Sequence, residues 1–141
     1  MTDIDPKALT DRYVAVWNEP DAALRRAAVH GLWTEHAVHV LLPPQDIRET
    51  ATGLGFPSAA FEARGHTELE FRVTRAHEEF IAPGTFAFRS RHDADRIRDV
   101  VKFRWEMVSP EGERAGAGLE VLLLDPDGRI RADYQFIEST A

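Results

Sequence analysis

The sequence contains no cysteine, which excludes disulfides, thiolate nucleophiles and cysteine-ligated metals at the outset. It also lacks an apolar run of membrane length. The longest stretches, Val38–Leu42 and Leu119–Leu124, fall far short of the roughly 18–20 residues a spanning helix needs. Positive charge is scarce too: 17 lysines and arginines stand against 24 acidic residues, a net charge of −7. Such a balance opposes nucleic-acid binding, which needs a surplus of cations along one face. The densest basic stretch, Arg89–Arg98, is interrupted by Asp93 and Asp95 and followed by Asp99, and reads as a solvated turn. Gly-x-Ser-x-Gly, a glycine-rich phosphate loop and a dinucleotide fingerprint are all missing. The opening residues Met1–Asp5 have neither the basic nor the apolar part of a signal peptide, so the expected location is cytoplasmic.

What remains is an ordinary globular composition, 43% hydrophobic and 29% charged over 141 residues. That length suits one domain over residues 1–141. Asp5 and Pro6 are cap and first-turn residues for a helix through Trp17, with Leu9, Tyr13, Val16 and Trp17 on one face. Pro20-Asp21 restarts a second helix to about Leu32, with Leu24, Ala27, Ala28 and Leu32 inward. Ala37–Leu42 is a first strand ended by Pro43-Pro44, and residues 45–64 form a flap broken by Gly53, Gly55 and Pro57. From His66 to Ile81 the spacing of Leu69, Val73, Ala76 and Phe80 predicts a third helix. Strands follow at Thr85–Arg91, Asp99–Val108, Ala115–Leu124 and Ile130–Ile137. Helices first and hairpin-linked strands afterwards mean an α+β fold with an antiparallel sheet.

The run Arg12-Tyr13-Val14-Ala15-Val16-Trp17-Asn18 with Asp21 resembles the first-helix signature of the nuclear transport factor 2-like (NTF2-like) superfamily. That superfamily includes ketosteroid isomerase and the SnoaL-like polyketide cyclases. The closing segment from Gly118 through Asp127-Gly128-Arg129-Ile130 to Tyr134-Gln135-Phe136 is similar to the same superfamily's last hairpin. The resemblance implies a cone-shaped, cystatin-like fold: three helices against a strongly curved antiparallel sheet, enclosing one pocket. It also implies homodimers formed through the outer sheet face.

Three residues are candidates for chemistry. Glu120 is the only charged residue from Gly118 to Leu124, and such apolar surroundings should raise its pKa and let it carry a proton near neutrality. It matches the place where ketosteroid isomerases keep a protonated oxyanion-hole aspartic acid and the cyclases an acid/base aspartate. The structural alternative is a cross-strand ion pair with Lys102 or Arg104. Tyr13 matches the isomerases' oxyanion-hole tyrosine, and is otherwise a core tyrosine with a satisfied hydroxyl. The isomerases' catalytic base precedes a proline at the end of the first strand, where this chain has Leu42-Pro43. Steroid isomerase activity is therefore not expected, and His39 is the substitute base, with a core histidine as its alternative.

His36 and His39, three apart at a strand entrance, face different ways, so no metal is expected, and no cofactor either. Trp17, Trp33, Phe56, Phe88 and Trp105 are the aromatic candidates for lining the pocket, which points to a small apolar ligand as partner. Three functions stay open: an isomerase-, cyclase-, dehydratase- or hydrolase-type enzyme acting on an apolar carbonyl compound, a ligand binder without chemistry, and a dimeric interaction domain.

Overall fold

A computed structural model describes residues 4–54 and 61–138. Helix α1 (Pro6–Asn18) starts where the Asp5 carboxylate accepts the Lys7 amide at 3.1 Å, with Pro6 in the first turn. Helix α2 (Ala22–Leu32) is capped in the same way, Asp21 accepting the amides of Ala23 and Leu24. The chain then passes directly into strand β1 (Trp33–Leu42). The inward face of α2 differs from expectation. Arg25, Val29 and Leu32 are buried, whereas Leu24 is exposed. Arg25 takes the inward position instead, its guanidinium donating to the Glu19 carbonyl at the end of α1 at 2.7 Å.

The segment expected as a flap contains helix α3 (Gln45–Gly53) and a short strand β2 (Phe61–Arg64) on either side of undescribed residues. The third expected helix is α4 (Gly65–Ala76), which widens into a single π-helical turn at His77–Ile81. Four more strands were expected and five are present: β3 (Ala87–Ser90), β4 (Asp95–Ile97), β5 (Val100–Val108), β6 (Arg114–Leu124) and β7 (Ile130–Glu138). The basic stretch Arg89–Arg98 is thus more than a turn. Its residues Asp95–Ile97 pair with β5, and Asp93 accepts the Arg104 amide at 2.9 Å.

The seven strands form one open sheet, in the order β2-β1-β7-β6-β5-β3, with β4 also on β5. One pair departs from the antiparallel expectation: β1 and β7 run parallel, with His39 beside Asp133. A helical crossover rather than a hairpin follows β1, and that leaves room for a parallel partner. The helices cover one face. Leu9, Val29, Leu32, Trp33, Leu69, Val73, Val101, Phe103 and Leu122 form the core between the layers. Asn18 pins the end of α1 to the sheet edge, donating to the Phe88 carbonyl at 2.7 Å and accepting the Phe88 amide at 2.9 Å. No described helix is long and apolar enough to cross a membrane.

A bulge in β7 sets which of its residues face the helices. Between β6 and β7, Leu124 pairs with Ile130 but Leu123 pairs with Ala132, so Arg131 is an extra residue. Beyond it, Asp133, Gln135 and Ile137 point inward while Tyr134 and Phe136 point out. Arg131 itself donates to Asp99 at 3.1 Å and to the Leu124 carbonyl at 3.2 Å.

Candidate functional site

At the open end of the cone lies a cavity of about 230 Å³, small beside the roughly 300–1,000 Å³ of drug-sized pockets. Its wall is largely apolar: Trp17, Leu41, Phe80, Phe88, Trp105, Met107 and Ile137, with the ring of Tyr13. Arg72 and Gln135 supply most of its polar atoms. Phe88 stands edge-on to Trp105 with centroids 5.6 Å apart, held there by the Asn18 bracket. Trp105 in turn lies flat over Gly118, where an added Cβ would overlap the indole. A glycine inside a strand here means close approach rather than flexibility.

Beneath the Tyr13 ring is a buried polar cluster. The Tyr13 hydroxyl lies 3.0 Å from Glu120 Oε2 and 2.8 Å from Asp133 Oδ2. Trp105 Nε1 donates to Glu120 Oε1 at 2.9 Å, and Trp33 Nε1 to Asp133 Oδ2 at 3.3 Å. Glu120, Asp133 and His39 are all fully buried. Burial, reinforced by the Asp133 charge, holds the Glu120 carboxyl well above its ordinary 4.5 and favours its protonated form. Tyr13 is driven upward by burial and then by both carboxyls, and stays a phenol. With one hydroxyl hydrogen between two carboxyls, the consistent assignment is a chain: Glu120 donates to Tyr13, and Tyr13 donates to Asp133.

His39 completes the cluster. Arg72 Nη1 lies 2.8 Å from His39 Nδ1, and a guanidinium can only donate, so Nδ1 is the acceptor and Nε2 carries the hydrogen. Burial lowers the His39 pKa, which keeps the ring neutral. Its Nε2 faces Asp133 Oδ1 across 3.9 Å, too far for a hydrogen bond, and neither atom has another partner among the described residues. The ligand-type atoms of His39, Glu120 and Asp133 fall within 4.8 Å of one another, a spacing that would suit a metal ion. An ion there would have to displace the hydrogens on Nε2 and Glu120 as it bound.

The site expectations fare unevenly. Tyr13 and Glu120 meet at hydrogen-bond distance, and Glu120 faces the helices. Arg104 pairs instead with Glu138 at 3.4 Å. Trp17, Phe88 and Trp105 line the cavity. Trp33 is a correction: it is fully buried in the core under Tyr13, because it opens β1 at the closed end of the cone rather than at the rim. His39 is a second correction. Its one lone pair is taken by Arg72, so it is not a free base in this arrangement. Phe56 lies outside the described residues. Asp133, Arg72 and Gln135 were not expected. Asp133 lies between Arg131 and Gln135, without the apolar setting that marks Glu120, and the period-two pattern of β7 hid it.

No family model matches the sequence, and neither does any curated protein. The fold does have solved counterparts. A proposed isomerase of the SnoaL-like family from Agrobacterium tumefaciens superimposes with a TM-score of 0.75 at 24% identity, over 95% of this chain and 97% of that one. The chain has the SnoaL-like fold. An NTF2-like protein of unknown function from Exiguobacterium gives 0.62 at 14% identity, covering 94% and 99%. A ketosteroid isomerase-like protein from Catenulispora acidiphila, in complex with trimethylamine, gives 0.57 at 12% identity, covering 90% and 82%. At these identities the likeness is one of architecture, the cystatin-like cone with its pocket between helices and sheet. Leu41 lies in the cavity wall just before Leu42-Pro43, so that region of the first strand is apolar.

Proposed function

We propose that this SnoaL-like chain is a proton-transfer enzyme for a small, apolar, carbonyl-bearing molecule, of the isomerase, cyclase or dehydratase type. The observation that carries this reading is the Tyr13 hydroxyl held 3.0 and 2.8 Å from two buried carboxyls, directly behind an apolar cavity. A substrate oxygen entering past Gln135 would replace Asp133 as acceptor of the Tyr13 hydrogen, freeing that carboxylate, with Glu120 behind Tyr13 as the proton store. Asp133, whose Oδ1 has no described partner, takes the place of the missing base before Pro43. Two carboxyls in one site, one held protonated by its surroundings, divide acid and base roles between them.

The test needs no knowledge of the natural substrate. The protein should accelerate hydrogen–deuterium exchange at the acidic carbon of a bicyclic ketone such as 2-tetralone, read by NMR in deuterated buffer. Glu120→Gln and Asp133→Asn should each lower that rate by about 10²-fold or more. A second reading, a binder without chemistry, is favoured by the complete burial of Glu120, His39 and Asp133 behind the wall. It predicts that 2-tetralone binds with no exchange above the buffer rate.

The outer sheet face supports an additional role. Val40, Tyr134 and Val121 lie in register across β1, β7 and β6, as do Leu42, Phe136 and Leu119. Tyr134 and Phe136 are 39% and 42% exposed. A second copy of the chain docking on this face would cover that patch.

A further inference from the structure

Arg72 is the only charged group among the described cavity-wall residues, and it makes no ion pair with any described residue. Its Nη1 is consumed by the protein, reaching His39 Nδ1 at 2.8 Å and the carbonyls of His39 and Phe61 at 3.2 Å each. These contacts lock the guanidinium in place. Its Nε and Nη2 have no hydrogen-bond partner among the described residues, and together they form one of the two edges by which a guanidinium grips a carboxylate with two parallel bonds. The nearest acids do not occupy that edge: Glu68 accepts the Arg64 amide, and Asp133 is engaged by Tyr13 and Trp33. Residues 55–60, next to Phe61 in the chain, contain no acid that could serve. A half-buried cation in an apolar wall is costly unless something of opposite charge meets it. Burial pulls the guanidinium's pKa down, outweighing the opposing charges of Asp133 and Glu68 at longer range.

We infer that the cavity takes an apolar molecule bearing one carboxylate, whose two oxygens dock on the Nε–Nη2 edge of Arg72. This rests on the proposed use of the cavity as a ligand site and adds the class of ligand. Arg72 fixes the acidic end of the molecule, and the aromatic wall receives its body. Because His39 and the main chain hold the guanidinium rigidly, little side-chain freedom is lost when the anion arrives.

The experiment compares two flat bicyclic probes of similar size, 2-naphthoate and 2-acetonaphthone, by calorimetric or fluorescence titration of the full chain at pH 7.5. The expected result is binding of both, with naphthoate at least about tenfold tighter. In Arg72→Gln that ratio should fall to near one, and in Arg72→Lys it should fall partway, since lysine keeps the charge and loses the fork. If Arg72→Gln does not fold, as judged by circular dichroism, Arg72→Lys and salt dependence decide. Naphthoate affinity in the unaltered protein should weaken from 20 to 500 mM NaCl while ketone affinity holds. Equal affinity for both probes, or a preference that survives Arg72→Lys undiminished, overturns the carboxylate inference and leaves the cavity reading standing. Binding of neither probe overturns both.

Discussion

Strands β5 and β7 belong to one sheet and are nine residues each, yet their side-chain patterns mean opposite things. In β5 the apolar series Val101, Phe103, Trp105 faces the helices and Lys102 faces solvent. In β7 the apolar residues Tyr134 and Phe136 face out, and the polar residues Asp133 and Gln135 face in. The Arg131 bulge produces the inversion, because one inserted residue moves every later side chain to the other face. Alternation reports the inner face only where that face is core. Where the inner face is a site and the outer face is itself apolar, the same alternation reads backwards.

The sharpest break of this comparison should come from the β5 side. Phe103 is fully buried and edge-on to Tyr13 at 5.3 Å, so Phe103→Ala should cost about 3–5 kcal/mol in urea denaturation. Gly118→Ala comes next, at about 1–3 kcal/mol, because the new methyl must displace the Trp105 indole. It should also quench the Trp105–Glu120 hydrogen bond, seen as a downfield indole proton lost from the NMR spectrum.

On the polar side, the test is pH. Glu120 has a raised pKa in the fold, so the unfolded chain releases its proton first as pH rises through about 4.5. Stability from this group is therefore complete below that pH and declines as pH climbs toward the folded value. Glu120→Gln should remove the decline, raising Tm at pH 8 by about 3 °C or more. His39 acts in the opposite sense. Its lowered pKa means stability is lost as pH falls below about 6.5, when the unfolded ring takes a proton first. The Glu120→Gln difference curve isolates one contribution from the other. The smallest effect on the monomer should be Phe136→Glu, within about 0.5 kcal/mol, since the side chain is exposed. Sedimentation of the same variant should show the loss of any dimer formed through that face.

Much of the cone was legible because its helices are capped and its β5 alternates without interruption. Asp5, Pro6 and Asp21 sit where capping needs them, and Leu69 with Val73 marks the buried stripe of α4. Glu120 was legible as a lone acid among apolar neighbours. Asp133 was not, because nothing in residues 130–137 announces a bulge. Arg72 was hidden in another way: with Glu68 four residues earlier it looks like a surface ion pair, but Glu68 caps the start of α4 instead. Leu24 misled because Arg25, buried to hold the end of α1, took the inward position that an apolar residue normally fills.

The parallel pairing of β1 with β7 has a consequence for how the chain acquires its site. Tyr13 and Asp133 are separated by 120 residues, and β7, late in the chain, must dock between β1 and β6 before they can meet. Until then the helices and β1 can gather, but Tyr13 and Trp33 have no Asp133 to receive their hydrogens. Contacts of such long range are slow to form. The polar cluster therefore depends on the last strand, and a chain truncated before β7 would lose Asp133 together with Gln135 and Ile137 of the cavity wall.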